Sequence, residues 1–154
     1  MGTEIERKFL TVGDSWKSLS EATLLRQGYL SSHPDRVVRV RIEGAQAMLT
    51  IKSKTVGASR GEWEYPIPME DAERFLNELC EKPIIEKYRY RIPYADLVWE
   101  VDEFLGDNAG LIVAEVELSS ESQAFAKPDW VGSEVTHDSR YFNANLLRHP
   151  FSTW

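Results

Sequence analysis

The chain has 154 residues, 42% of them apolar and 11% aromatic, which is enough to bury a core in one domain and too apolar for general disorder. A formal net charge of −7 excludes a surface that is basic overall, and with it a general affinity for nucleic acid, although a local basic channel stays compatible with an acidic exterior. The single Cys80 excludes an intramolecular disulfide and a multi-cysteine zinc site, and no apolar run approaches the roughly 18 residues that span a bilayer, so a cytoplasmic protein with no membrane partner is expected.

Glu4 to Val12 reads as the first strand, and Gly13-Asp14 then breaks the chain and offers an N-cap for a short helix through Leu19. Leu24 to Ser31, Arg36 to Glu43 and Ala47 to Lys54 follow as consecutive strands, divided by hairpin signals at Ser31 to Asp35 and at Gly44-Ala45. After a loop over Thr55 to Ser59, Gly61 to Pro68 forms a strand whose Pro66 and Pro68 mark an edge or an early exit from the ladder. The period then changes: Ala72, Phe75, Leu76 and Leu79 recur at helical spacing, with Glu70 and Asp71 suited to a helix start, which predicts a helix over Met69 to Glu81. Cys80 falls in this helix and reads as a buried structural thiol. Three strands follow, Ile84 to Ile92, Leu97 to Leu105 and Leu111 to Leu118. Ser119 to Ala126 reads as a short helix, Pro128 to Val135 as irregular chain, and Asp138 to Leu147 as a terminal helix. With no linker or repeat, residues 1–154 read as a single domain of α+β class, mainly antiparallel β with helices packed outside.

Seven of these strands carry ionisable residues at strict two-residue spacing: Glu4, Glu6, Lys8; Arg39, Arg41; Lys52, Lys54; Glu62, Glu64; Lys87, Arg89, Arg91; Glu100, Asp102; and Glu115, Glu117. Because successive side chains of a strand point to opposite faces, each row lines one face, and the other carries Val38, Ile51, Trp63, Tyr88, Trp99 and Val116. The eighth strand, Leu24 to Leu30, offers only Arg26 or Tyr29 to the charged face. One such row is an ordinary wetted sheet face. Seven rows of nearly pure carboxylate and Lys/Arg, in both signs, point instead to an eight-stranded closed β-barrel with the charges inside, wide enough for one small ligand. So many charges at low dielectric are costly unless a ligand completes the pairing. Carboxylates suit a hard divalent cation and Lys/Arg suit phosphate oxygens, so the pattern points to a polyphosphate bound through metal ions. His33, His137 and His149 are isolated and form no zinc pattern, and there is no glycine-rich phosphate loop, so any phosphate grip comes from side chains.

Glu4-Ile5-Glu6-Arg7-Lys8, followed in order by Arg39-Val40-Arg41, Thr50-Ile51-Lys52, Arg60-Gly61-Glu62-Trp63-Glu64, Glu86-Lys87-Tyr88-Arg89-Tyr90, Glu100-Val101-Asp102 and Glu115-Val116-Glu117, resembles the CYTH superfamily, or triphosphate tunnel metalloenzymes. Gln27-Gly28-Tyr29-Leu30 and Asp138-Ser139-Arg140-Tyr141 are similar to the short bacterial form; Phe142 departs from it, standing where such sequences often carry Lys. The resemblance implies an eight-stranded tunnel that binds a linear triphosphate and uses Mg²⁺ or Mn²⁺ to hydrolyse it. It implies metal ligands at Glu4, Glu6, Glu115 and Glu117, and substrate contacts at Lys8, Arg39, Arg41, Lys52, Lys87, Arg89, Tyr29 and Arg140. Lys8, Lys87, Glu62 and Asp102 are the implied catalytic groups. The expected function is an inorganic triphosphatase acting on a small-molecule triphosphate, with adenylyl cyclase or thiamine triphosphatase as alternatives on the same fold, and a non-catalytic polyphosphate or nucleotide binder as the alternative outside enzymology.

Overall fold

The computed structural model describes residues 2–154. Among these lie nine strands, β1 Gly2–Thr11, β2 Ala22–His33, β3 Arg36–Glu43, β4 Gln46–Ser53, β5 Ser59–Pro66, β6 Ile85–Tyr94, β7 Leu97–Phe104, β8 Ile112–Glu117 and β9 Val131–Glu134, with one short helix, α1 Met69–Arg74. Every strand pairing is antiparallel, the order around the sheet is β5, β4, β3, β2, β6, β7, β8, β1, and β5 pairs β1 again, so the expected tunnel closes as a ring of eight. The seam is β1. Its Gly2 to Ile5 stretch faces β5, Phe9 and Thr11 face β9, and its other edge faces β8. Tight hairpins set the register; Gly44, between β3 and β4, takes φ +57°, a conformation that side chains disfavour.

Three apolar clusters position the ring. Outside β1 and β6–β8, Phe9, Trp16, Val101, Trp99 and Trp130 pack together, Trp99 fully buried with ring centroids 5.5 Å from Phe9 and 5.9 Å from Trp130. Outside β3 and β4, Val40, Ile42 and Ala47 meet Ala72, Leu76 and Cys80. Gly28 lies beneath this second cap: a Cβ there would stand 2.9 Å from both Cβ and Sγ of Cys80, so only glycine lets β2 pass under the helical segment. The third cluster is internal. Val37, Ile85, Phe104 and Val113 share inward parity with Arg39, Lys87, Asp102 and Glu115, and they pack against Tyr141, Leu146 and Leu147 of the C-terminal segment. That segment plugs one end of the lumen.

Four expectations are corrected. The helix over Met69 to Glu81 is α-helical only to Arg74 and widens over Phe75–Leu79, where the Cys80 amide donates to the Phe75 carbonyl. Ser119 to Ala126 is not helical, because Gln123 Oε1 accepts from the Ser119 amide and Glu121 Oε1 reaches away to the Ala58 amide. Pro128 to Val135 contains a strand, β9, that completes the seam on β1. The terminal segment is two 3₁₀ turns, Ser139–Tyr141 and Asn143–Leu147: Asp138 caps the Arg140 amide and Asn145 Nδ2 donates to the Ser139 carbonyl, local bonds that compete with a continuous helix. Trp63, on the apolar face of β5, is half-buried.

Candidate active site in the charged lumen

The charged rows converge on one cavity of about 450 Å³, whose lining includes Phe142 to Asn145 of the C-terminal segment. Glu4, Glu6, Lys8, Tyr29, Arg39, Arg41, Lys52, Glu62, Lys87, Arg89, Glu115 and Glu117 all line it. Of the residues implied by resemblance, two do not. Asp102 lies behind the wall, fully buried, both carboxylate oxygens taken by Lys87 and Arg89, so it supports the site without facing the cavity. Arg140 sits outside the lumen, paired with Asp138 at 2.7 Å and stacked over Trp154. On β2 it is Gln27 and Tyr29 that face inward, while Arg26 turns out to Glu73 and Glu86.

Carboxylates predominate on one side of the lumen and cations on the other, with ion pairs on both. On the acidic side Glu6 and Glu117 are direct partners across β1 and β8, and Glu115 stands opposite both Lys8 and Glu100. Burial pushes the Glu6 carboxyl up, but Lys8 and Lys52 outweigh it and hold the group below its ordinary value. Lys8 Nζ stands 3.5 Å from both Glu6 and Glu115, and those carboxylates outweigh burial to hold its proton more firmly than usual. Lys52 Nζ donates to Glu4 at 3.0 Å and stands 3.3 Å from Glu62. Glu117 differs, with no cation partner among the described residues. Partial desolvation of this exposed residue, then repulsion from Glu4, Glu62, Glu6 and Glu100, pushes it up to about 7.

That shift has a sign. Between the unfolded carboxyl value near 4.5 and about 7, the folded chain keeps a proton that the unfolded chain has released, so this contribution to stability is complete below 4.5 and is lost as pH rises through 7. In chelator, the melting temperature of Glu117→Gln relative to wild type is therefore expected to climb between pH 4.5 and 7.5. Parallel profiles for the two proteins would show that Glu117 titrates normally.

On the basic side, Lys87 Nζ donates to Asp102 Oδ2 and to Asn143 Oδ1, each at 2.7 Å. Arg89 grips Asp102 through two bonds of 2.8 and 2.9 Å. Burial alone would push Asp102 up, yet Arg89 and Lys87 hold it far below the usual carboxylate range; burial, with Arg89 and Arg41 nearby, draws Lys87 down from its ordinary value. Arg39 and Arg41 are poorly neutralised. Arg39 Nε is buried without a hydrogen-bond partner, its nearest carboxylate oxygen, on Glu64, is 3.8 Å away, and Arg41 bonds only to the neutral Gln27. Burial first, then Arg39 and Arg89, push Arg41 down to about 9. The wall thus presents four cations whose counter-charge is incomplete, with Asp102 shared by Lys87 and Arg89 and only the distant Glu64 beside Arg39.

Four residues of the site escape the charged-row pattern. Arg60, 3.4 Å from Glu4, shares the inward parity of Glu62 but precedes the expected start of its strand. Gln27 carries no charge, though its parity with Tyr29 marks it. Phe142, 5.5 Å below Lys8 Nζ, and Asn143 arrive only through the tertiary plug, which no local pattern announces.

The CYTH domain profile matches residues 2–151. An inorganic triphosphatase of Acetivibrio thermocellus is 50% identical over 154 residues, covering 100% of this chain and 99% of that protein. One from Nitrosomonas europaea is 42% identical over 149 residues, covering 94% and 96%. The crystal structure of the inorganic triphosphatase NE1496 superposes with a TM-score of 0.66 at 37% identity, covering 93% of this chain and 96% of that one. A putative adenylate cyclase of Bacillus halodurans, 20% identical over 79% of this chain and 84% of its own, shares the fold at a TM-score of 0.60. A profile spanning nearly every described residue, full-length relatives and the same closed ring of strands agree: the chain belongs to the CYTH domain family.

Proposed function

We propose that this protein is an inorganic triphosphatase, a divalent-metal-dependent hydrolase that cleaves tripolyphosphate to pyrophosphate and phosphate. The observation that carries the reading is the charge imbalance in the cavity, where buried Arg39 has only a distant carboxylate, Glu64 at 3.8 Å, half-buried Arg41 bonds to the neutral Gln27, and Glu117, across the lumen, has no cation partner among the described residues. The two full-length relatives that are inorganic triphosphatases support it. A linear triphosphate carries several negative charges that repel an incoming oxygen nucleophile, so catalysis is mainly charge neutralisation and alignment. Arg39, Arg41, Lys52, Lys87 and Arg89 would grip phosphoryl oxygens, the guanidinium forks bidentately and the ammonium groups as point charges. Lys8 sits where the basic and acidic sides meet, between Glu6 and Glu115, and would follow the bond being broken.

The donor set on the acidic side is all carboxylate, which fits a hard cation such as Mg²⁺ or Mn²⁺. Among the described residues no three carboxylates are already arranged as a cage. That also fits, since Mg²⁺ is commonly held by one or two carboxylates with phosphate oxygens completing its shell. Glu4, Glu6, Glu115 and Glu117 are the carboxylates from which such a cation would draw its one or two protein ligands, and it would supply charge neutralisation and a more acidic bound water. Glu62 keeps Lys52 in place, and Asp102 keeps Lys87 and Arg89 in place. A cytoplasmic setting, where small triphosphates are available, belongs to the same proposal.

The cavity residues given a role above serve phosphate, metal or a neighbouring charge, and none is assigned to a base or sugar, so tripolyphosphate is expected to exceed ATP in kcat/KM by at least about tenfold, or roughly 1.4 kcal/mol at the transition state. Parallel kinetics with product identification test this. ATP outpacing tripolyphosphate, or a cyclic nucleotide as the main product from ATP, would move the assignment to a nucleotide enzyme.

A further inference from the structure

Two neutral amides join the cations of the basic wall. Gln27, fully buried on β2, accepts from Arg41 Nε at 3.0 Å and Nη2 at 2.9 Å through Oε1, and its Nε2 donates to Tyr29 Oη at 3.0 Å and to Asn143 Oδ1 at 3.1 Å. The same Asn143 Oδ1 accepts from Lys87 Nζ. Arginine and lysine only donate, so both amide oxygens must face the cations and neither amide can be flipped. The result is a continuous bridge from Arg41 through Gln27 and Asn143 to Lys87. Asn143 opens the 3₁₀ turn Asn143–Leu147, whose Leu146 and Leu147 are buried in the internal plug, so the C-terminal segment anchors the bridge.

From this geometry we infer that Gln27 and Asn143 are positioning residues that fix the separation of Arg41 and Lys87 for adjacent phosphoryl groups without adding negative charge beyond the one carboxylate, Asp102, that already pairs with Lys87. A carboxylate at either place would hold the cations equally well, yet it would cancel the charge that an incoming anion needs. A neutral acceptor satisfies the donors and preserves the field. The inference rests on the triphosphate reading of the cavity.

Isosteric charge insertion separates this role from a purely structural one. Asn143→Asp and Gln27→Glu each place a carboxylate against a cation in a wall where Lys87 and Arg89 share the fully buried Asp102 and Arg41 bonds only to a neutral amide. Both variants are expected to melt at a higher temperature than wild type in chelator, and to bind tripolyphosphate at least tenfold more weakly by metal-free calorimetry. Asn143→Ala, which frees Lys87 without adding charge, should fall between wild type and Asn143→Asp in affinity, and KM should rise more than kcat falls. Affinity and melting temperature dropping together, in these variants, would mark a structural contact and overturn the inference, as would unchanged affinity. Wild type failing to bind tripolyphosphate would overturn the triphosphate reading as well.

Discussion

Glu6→Gln and Glu117→Gln are each expected to lower metal-dependent phosphate release from tripolyphosphate by about a hundredfold or more, roughly 2.7 kcal/mol at the transition state, in proteins that stay folded. The two carboxylates face each other across β1 and β8, on the side of the lumen where Lys8 alone bridges Glu6 and Glu115. Glutamine keeps the side-chain length and removes the charge that a divalent cation requires. The cost to folding is small, because Glu117 already suffers repulsion from Glu4, Glu62 and Glu6. Steady-state rates across a Mg²⁺ and Mn²⁺ titration, with circular dichroism as the folding control, are the measurement. Full activity of either variant at moderate metal concentration would remove that carboxylate from the proposed ligand set.

The largest effect on stability is expected at Asp102, where Asp102→Ala should cost about 3–5 kcal/mol. Its two oxygens accept from Lys87 and Arg89, and all three groups are buried. Removing the carboxylate leaves two cations at low dielectric with no counter-charge between them. Because Arg89 and Lys87 hold the Asp102 carboxyl below its unfolded value, the stability it contributes is present above about pH 4 and is lost as pH falls further. Urea unfolding at pH 7 should therefore show the full difference between wild type and variant, and the gap should narrow in acid. A loss under about 1 kcal/mol at pH 7 would mean that Lys87 and Arg89 find other acceptors.

What the chain spells out locally is what a two-residue period can carry. Glu4, Arg39, Lys52, Lys87 and Glu117 could be assigned to one interior because a strand has only two faces and the other face was apolar. Elements whose partners are distant were not legible. β9 is four residues with Gly132 at its second position, and it is a strand only because β1 offers an unpaired edge there. Ser120 and Glu121 look like a helix start, yet the Glu121 carboxylate is spent on Ala58, 63 residues away. The same limit applies to the site. Asp102 has the parity of a lumen residue, but the lysine and arginine that close over it decide that it faces them and not the cavity. Arg140, read beside the site in sequence, is carried away from it by Asp138 and Trp154, while Asn143, three residues on, enters.

The seam at β1 also governs the order in which the molecule can assemble. One edge of β1 meets β5 across some 56 residues, as in the pair Glu4 and Arg60, and the other meets β8 across 107, as in Lys8 and Glu115. During synthesis β1 therefore waits as an open edge until most of the chain has emerged, and such long-range closures fold slowly. An exposed edge strand invites pairing with other chains, and charged side chains along it are a common defence. Glu4, Glu6, Arg7 and Lys8 place charge at four of five consecutive positions, so that defence is already present on the open edge, in three residues that later face the lumen and in Arg7 on the outer face.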